Sequence, residues 1–235
     1  MPAALAEEPP AAVLRSFFGE RVDLARAFAA HLAGTGVERG LLGPREVPRV
    51  WSRHVLNCAA VAPLLPQGSH VVDVGSGAGL PGLVLAVARP DVRVTLVEPL
   101  LRRVTWLEEV SADLGLTSVS VVRARAEELA GLGADVATAR AVAALDRLSA
   151  WCFPLLRDGG VLLAVKGRSA TEELAQAEAA LRALGAVGWT VRELGGDLLD
   201  EPTTVVEVQK GSTARGQATG RRGPGRAASR RSRRG

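Results

Sequence analysis

The chain has 235 residues, of which 47% are hydrophobic, 23% charged and 3% aromatic, with a formal net charge of +4. This length and apolar content suffice for one α/β domain with a buried core, which excludes a mini-protein held together by disulfides. The two cysteines, Cys58 and Cys152, lie far apart without metal-ligand spacing, so neither a disulfide framework nor a metal site has support.

The first residues, MPAALAEEPPAAV, lack the basic segment of a secretory signal and contain two glutamates. The longest apolar run, residues 71–88, is interrupted by Asp73, by glycines and by proline, and is a poor membrane span. We therefore expect a cytoplasmic protein without a membrane segment.

Charge is distributed unevenly along the chain. Eight arginines and no acidic residue follow Gly211, and the rest of the chain carries 21 basic against 25 acidic side chains, a net charge of −4. Residues 213–235 cannot form a core, so we expect them to be a disordered, arginine-rich tail. The tail is either a solvated segment that aids solubility or a contact for nucleic-acid phosphates that weakens with salt.

Two kinds of pattern follow each other before the tail. Residues 11–65 show apolar positions at three- and four-residue steps, which predicts helices. Strands and helices then alternate, which predicts a parallel sheet covered on both faces, with ligands at the carboxyl ends of its strands. The predicted strands are SHVVDVGS, VRVTLVE, VSVVRARAEEL (a strand that runs into a loop), ADVATARAV and GGVLLAVKG, and the helices between them are PGLVLAVARP, LLRRVTWLEEVSADLGL and LDRLSAWCFPLL.

The alternation ends after the helix TEELAQAEAALRALG. The segments VGWTVREL and TTVVEVQK are joined by LGGDLLDEP, which is too short for a crossover helix, so they should form an antiparallel hairpin. This ending is uncommon in dinucleotide dehydrogenases and typical of Rossmann-like methyltransferases.

The stretch VVDVGSGAGLPG matches two glycine patterns. Residues 77–82 fit the G-x-G-x-x-G of dinucleotide-binding proteins, and residues 75–79 fit the G-x-G-x-G of methyltransferases that bind S-adenosylmethionine. The first strand should end near Val74, which favours the second pattern. Glycines at Gly75, Gly77 and Gly79 would allow positive φ and a close approach of the ligand to the backbone, whereas a purely structural turn would not need three.

Two carboxylates lie beside this turn. Asp73 is predicted to lie at the end of a buried strand, where a carboxylate is costly unless paired, and the ammonium group of the methionine moiety would be a suitable partner. Glu98 ends the next strand, where an acid can accept the ribose hydroxyls. NAD-dependent enzymes also place an acid there, and a solvated strand-end acid is a further alternative.

Six segments in this order resemble the glucose-inhibited division protein B family, RsmG, the guanine-N7 methyltransferases of small-subunit ribosomal RNA. They are WSRHVLNC, VVDVGSGAGLPG, LVEPLLRRVTWLEEV, RARAEEL, ATARAVAALDRLSAWCFPLL and LLAVKG, within residues 40–210. The resemblance implies a Rossmann-like class I fold dependent on S-adenosylmethionine, with an N-terminal helical segment (1–66), a methyltransferase domain (67–212) and the tail (213–235). It also implies 16S ribosomal RNA as partner, methylated in this family at guanine 527 of the 530 loop.

The resemblance also assigns roles to single residues. It implies that Gly75 and Leu80 line the cofactor, that Ala126 and Glu127 flank the adenine, and that Arg140 closes the site. The cofactor residues expected from the glycine and carboxylate patterns are Asp73, Gly77, Gly79 and Glu98. Arg125 and Lys166 stand where the family has basic residues facing the RNA, with surface charge as the alternative. Many members carry an Arg-His pair before the final strand, where this chain has Pro202 and Thr203.

The resemblance implies chemistry that needs little from the side chains. Guanine N7 has an exposed lone pair and can attack the sulfonium methyl directly, so we assign no catalytic acid or base and expect positioning to dominate. For His54 we favour helix packing or an RNA-phosphate contact over a role as base. An NAD-dependent oxidoreductase and a non-catalytic RNA-binding protein are the alternative functions, and we expect a monomer.

Overall fold

The computed structural model describes residues 7–212 of the chain. The expected disordered tail lies outside these residues and stays a prediction. In the described residues, no helix is both long and apolar enough to cross a lipid bilayer.

Residues 11–64 form short helices, as the apolar spacing predicts. Gly19, with φ of 53°, ends the first helix and so divides a stretch whose periodicity is continuous. The second predicted helix, residues 44–65, is a succession of tighter and wider turns, because Pro48 has no N–H to donate to an α-helix. The α-helices are α1 (Ala11–Phe18), α2 (Val22–Ala33), α3 (Thr35–Glu38) and α4 (Asn57–Ala59), with 3₁₀ turns at Gly19–Arg21, Pro44–Arg49 and Ala62–Leu64 and a π-helical segment at Val50–Leu56.

A seven-stranded sheet follows, and it confirms the predicted topology. Its strands are β1 (His70–Val74), β2 (Arg93–Val97), β3 (Val119–Val122), β4 (Ala134–Arg140), β5 (Leu156–Lys166), β6 (Ala186–Leu194) and β7 (Thr203–Lys210). Their order is β3-β2-β1-β4-β5-β7-β6, parallel from β3 to β5, with β7 antiparallel to both of its neighbours. The strand order reverses between β1 and β4, the point at which open α/β sheets bind ligands.

Helices cover both faces of the sheet, and each face has its own core. They are α5 (Gly82–Ala88), α6 (Leu101–Asp113), α7 (Leu145–Cys152) and α8 (Ala170–Ala183). Successive strand residues alternate between the faces: Val71 packs with α5, α6 and the N-terminal helices, and Val72 packs with α7 and α8. The helices of residues 11–64 thus share a core with the sheet, and the predicted boundary at residue 66 stays a prediction.

Candidate active site

The glycine loop between β1 and α5 has the backbone geometry that its sequence predicts. Gly75, Gly77 and Gly79 have φ of 68°, 55° and 75°, a region that other residues rarely adopt. The amides of Gly75 and Ser76 both donate to the carbonyl of Val97 at the end of β2, at 2.9 and 3.1 Å. The loop is therefore anchored to the neighbouring strand while its backbone lies along the carboxyl edge of the sheet.

Two predicted cofactor residues, Asp73 before the loop and Gly79 within it, do not line the cavity described below. The Asp73 side chain is fully buried, its Oδ2 accepts the Gly82 amide at 3.0 Å, and its Oδ1 has no hydrogen-bond partner in the described residues. Burial raises the pKa of Asp73 to about 7. A Cβ on Gly79 would meet Leu83 at 2.5 Å. Asp73 thus holds the end of the loop at Gly82, Gly79 packs closely against Leu83, and the contact of either residue with a cofactor stays a prediction.

Glu98 lies directly after β2 and is 1% exposed. Its Oε2 accepts the Gly77 amide and its Oε1 accepts the Leu100 amide, each at 3.0 Å, and Arg103 lies 3.6 Å away. This excludes a solvated strand-end acid. The carboxylate joins the glycine loop to the start of α6 and lines the cavity.

A short 3₁₀ turn, Ala126–Glu128, follows β3 on the same edge of the sheet. Ala126 is buried and Glu127 is exposed, and both line the cavity. The side chain of Arg125 is 64% exposed and lies 3.9 Å from Glu127. Arg125 is thus an exposed cation at the rim, as its predicted contact with RNA requires.

Arg140 ends β4 and contacts the N-terminal helices. Its Nη1 donates to the carbonyl of Arg53 at 3.1 Å and its Nη2 to Nδ1 of His54 at 2.9 Å. His54, which is 7% exposed, reaches Glu46 with its other ring nitrogen at 3.0 Å. His54 is therefore buried among protein groups, as helix packing predicts, and it also lines the cavity. Sequence reasoning missed Glu46, which lies within the second predicted helix and belongs to no motif.

Lys166 ends β5, and its side chain is only 9% exposed, so it is not a surface charge. Its Nζ donates to the carbonyl of Ala143 and to Oε1 of Glu173, both at 2.7 Å. The same Glu173 oxygen accepts the Leu145 amide at 2.7 Å. This pair holds the loop between β4 and α7, in which Ala141 has φ of 55°. Contact of Lys166 with RNA stays a prediction.

One cavity of about 1640 Å³ brings most of the predicted residues together. The predicted site residues that line it are Gly75, Gly77, Leu80, Glu98, Arg125, Ala126, Glu127, Arg140 and Lys166. Pockets for one small ligand usually measure about 300–1,000 Å³, so this cavity has room for a second group beside a nucleoside. Glycine backbone, the buried acid Glu98 and the apolar wall at Ala126 fit S-adenosylmethionine.

Comparison with known proteins identifies the family. The family model described as rRNA small subunit methyltransferase G matches residues 21–199, more than half of the chain. The chain belongs to this family. The ribosomal RNA small subunit methyltransferase G of Arthrobacter sp. (strain FB24) is 59% identical over 194 residues, covering 82% of this chain and 90% of that protein. The enzyme of the same name from Renibacterium salmoninarum is 55% identical over 210 residues, covering 88% and 98%.

Solved structures confirm the fold of this methyltransferase G family member. A SAM-dependent methyltransferase from Aquifex aeolicus superposes with a TM-score of 0.53 at 17% sequence identity, covering 74% of this chain and 97% of that one. The predicted class I methyltransferase fold and the predicted family are both confirmed.

Proposed function

We propose that the protein transfers a methyl group from S-adenosylmethionine to N7 of a guanine in 16S ribosomal RNA, the family's guanine 527. Membership of the methyltransferase G family carries this proposal, because the matched residues 21–199 include the glycine loop, Glu98 and Arg140. The geometry supports it, since these residues meet at one cavity.

The glycine loop and its neighbours would hold the cofactor. A Cβ on Gly77 would meet only a backbone oxygen at 3.8 Å, so a ligand can approach this backbone closely. Each oxygen of Glu98 accepts one amide, and a carboxylate has about four acceptor sites, so capacity remains for ribose hydroxyls. Ala126 supplies an apolar wall for the adenine.

The rim of the cavity offers cations for RNA. The side chains of Arg53, Arg125 and Arg168 are 58%, 64% and 93% exposed, and all three line the cavity. Exposed arginines bind phosphates through a salt-sensitive interaction. Because acidic residues outnumber basic ones outside the tail, we expect a folded ribosomal surface to be a better substrate than a free oligonucleotide.

The chain's own contribution to the chemistry is positioning. When bound, the cofactor supplies an electrophilic methyl group, which the lone pair of guanine N7 can accept by direct in-line displacement without loss of a proton. Holding two reactants in this alignment is worth an effective molarity on the order of 10⁵ M or more. The anchored glycine loop, Glu98 and Arg140 would provide this alignment.

The test is methylation of unmodified small ribosomal subunits with radiolabelled S-adenosylmethionine, followed by chemical mapping of 7-methylguanine. We expect one methyl group per subunit, and incorporation at another atom would contradict the proposal. Gly75→Arg should abolish transfer, because the side chain would enter the cleft beside Val142. Gly68→Arg is the matched control, since Gly68 has φ of 66° but open space around its Cβ.

Calorimetry separates the proposal from the oxidoreductase alternative. The wild-type protein should bind S-adenosylmethionine and not NADH, and the reverse preference would overturn the methyltransferase assignment. If the protein were instead a non-catalytic RNA-binding protein, the Gly75→Arg substitution would leave its RNA binding unchanged.

We also propose that the protein acts in the cytoplasm, where ribosomal subunits are found, and that it acts as a monomer. Sedimentation of the active protein should give a mass near 24.5 kDa. An obligate dimer would contradict the monomer.

A further inference from the structure

A chain of hydrogen bonds connects the N-terminal helices to the candidate active site. It runs from Glu46 Oε2 to His54 Nε2 at 3.0 Å and from His54 Nδ1 to Arg140 Nη2 at 2.9 Å. The Arg53 carbonyl accepts a second N–H of the same guanidinium at 3.1 Å. Glu46, His54 and Arg140 all line the cavity.

The chemistry of Glu46 and Arg140 determines which group donates in each of these hydrogen bonds. A guanidinium has only donors, so His54 Nδ1 must accept from Arg140. The neutral imidazole then carries its proton on Nε2 and donates it to the Glu46 carboxylate. One tautomer of His54 is therefore selected, and the carboxylate orients the ring that in turn orients the arginine.

Burial and charge keep His54 in this state. Desolvation, followed by the positive charge of Arg140, lowers the pKa of His54 to about 4, so the ring is neutral at pH 7. Burial alone would raise the pKa of Glu46, but the hydrogen bond with His54 and the charges of Arg53 and Arg49 lower it. Glu46 is thus a carboxylate and His54 a neutral acceptor under the same conditions.

The Arg140 guanidinium keeps donors for a ligand. It has five N–H groups, and its hydrogen bonds to Arg53 and His54 in the described structure use two of them. Its position at the end of β4, which pairs in parallel with β1, places it on the same edge of the sheet as the glycine loop. An arginine side chain that is already held by two hydrogen bonds loses less conformational entropy when its remaining N–H groups bind a ligand.

We propose that Glu46 and His54 are positioning residues that fix the Arg140 guanidinium in the cavity, so that assembly of the site depends on docking of the N-terminal helices. This inference rests on the proposed function, because Arg140 acts there on the cofactor or the RNA. It assigns to the N-terminal segment a part in activity beyond covering one face of the sheet.

The experiment compares two substitutions at His54 in small-subunit methylation and in binding of S-adenosylmethionine. His54→Leu removes both hydrogen bonds, whereas His54→Asn keeps an acceptor for Arg140 at the position of Nδ1. We expect His54→Leu to lower kcat/KM roughly ten- to a hundredfold, as loss of one hydrogen bond to a charged group does, and His54→Asn to restore most of it. His31→Leu is the control: it replaces a histidine on α2 that does not line the cavity, and it should leave activity unchanged.

A double-mutant cycle with Arg140→Ala distinguishes positioning from general stability. If His54 acts only through Arg140, His54→Leu causes no further loss of activity in the Arg140→Ala background. Equal loss in both backgrounds, or unchanged kcat/KM in His54→Leu alone, would overturn the inference. Thermal unfolding of each variant shows whether it is folded.

Nitrogen NMR of the His54 ring supplies a readout that needs no catalysis. We expect the Nε2-protonated tautomer at pH 7 in wild type, with a changed Nε2 chemical shift in Glu46→Gln because the acceptor there loses its charge. An Nδ1-protonated ring in wild type would overturn the inference. If the wild-type protein binds S-adenosylmethionine but methylates no subunit, the proposed function fails. The positioning role of Glu46 and His54 is then tested by the NMR signal and by the affinity for S-adenosylmethionine, which should weaken in His54→Leu and recover in His54→Asn.

Discussion

At the scale of single residues, Asp73 illustrates how a binding site can rest on a group that does not line it. Its carboxyl is fully buried, caps the amide of Gly82 and leaves Oδ1 unpartnered in the described residues. A carboxylate in this state is unfavourable, and desolvation raises its pKa to about 7. Below about pH 7 the protonated form is therefore the more populated one in the folded protein.

This raised pKa predicts a pH dependence of stability. Since the folded pKa lies above the ordinary value of 3.8, stability from the protonated carboxyl is fully present below about pH 4 and is lost as pH rises through about 7. The quantity to follow is the difference in free energy of unfolding between wild type and Asp73→Asn. Between pH 4 and 8 this difference should fall by a few kcal/mol, since a difference of one pKa unit is worth about 1.4 kcal/mol. Urea denaturation measures this, and a pH-independent difference would contradict it.

Two glycines of the loop should differ in their tolerance of alanine. Gly77 and Gly79 both have positive φ, but only at Gly79 would a Cβ meet Leu83 at 2.5 Å. Gly77→Ala should lower the free energy of unfolding by about 1–2 kcal/mol from backbone strain, and Gly79→Ala by about 1–3 kcal/mol more from overpacking. Equal losses in denaturant titrations would contradict the assigned contact.

At the scale of elements, the loop between β4 and α7 depends on the next strand and helix. Lys166 at the end of β5 and Glu173 on α8 hold it through the Ala143 carbonyl and the Leu145 amide. The Val142 side chain of this loop lies beside the glycine loop, since a Cβ on Gly75 would meet it. Elements on one face of the sheet thus set the shape of the cavity.

Removing the negative member of this pair should destabilise the protein. Glu173→Gln keeps an acceptor for the Leu145 amide but leaves the mostly buried Lys166 ammonium unpaired, which we expect to cost about 2–3 kcal/mol. Adding Lys166→Met should restore part of that loss in chemical denaturation. Glu178→Gln is the matched control on α8, because the exposed Glu178–Arg182 pair is worth less than about 1 kcal/mol. A similar loss in both single variants would contradict burial of the pair.

At the scale of the whole molecule, charge is divided between a mildly acidic body and a basic tail. Eight arginines follow Gly211, and the remaining residues have a net charge of −4. The exposed arginines at the cavity rim lie near acids, as Arg168 does with Glu201 at 3.2 Å. The tail is therefore the part of the sequence with the greatest unbalanced positive charge.

Deleting residues 213–235 should weaken binding to small ribosomal subunits and make it less sensitive to salt. Each phosphate that the tail no longer neutralises reduces the slope of log K against log salt by about 0.7–0.9. Filter binding of the shortened and the full-length protein between low and physiological salt measures this slope. Replacing the eight arginines by lysine is the control that keeps charge, and an unchanged slope after deletion would assign the tail to solubility alone.

Much of the fold could be predicted because its signals are local. The alternation of short apolar strands with amphipathic helices predicts the parallel sheet, and a linker too short for a crossover predicts the hairpin of β6 and β7. The glycine register follows from where β1 ends, and the positive φ of the three alternating glycines follows from their type. Patterns of this kind depend on neighbours within a few positions.

Tertiary structure alone decided the partners of the charged groups. His54 and Arg140 are 86 positions apart, and no periodicity connects them or indicates Glu46. Sequence placed Asp73, Glu98 and Lys166 at strand ends, but only packing decided that Asp73 lies under the loop, that Glu98 accepts two amides and that Lys166 pairs with Glu173. The physical reason is that local pattern determines which face a residue occupies, whereas burial and hydrogen bonding depend on segments that meet only when the helices close over the sheet.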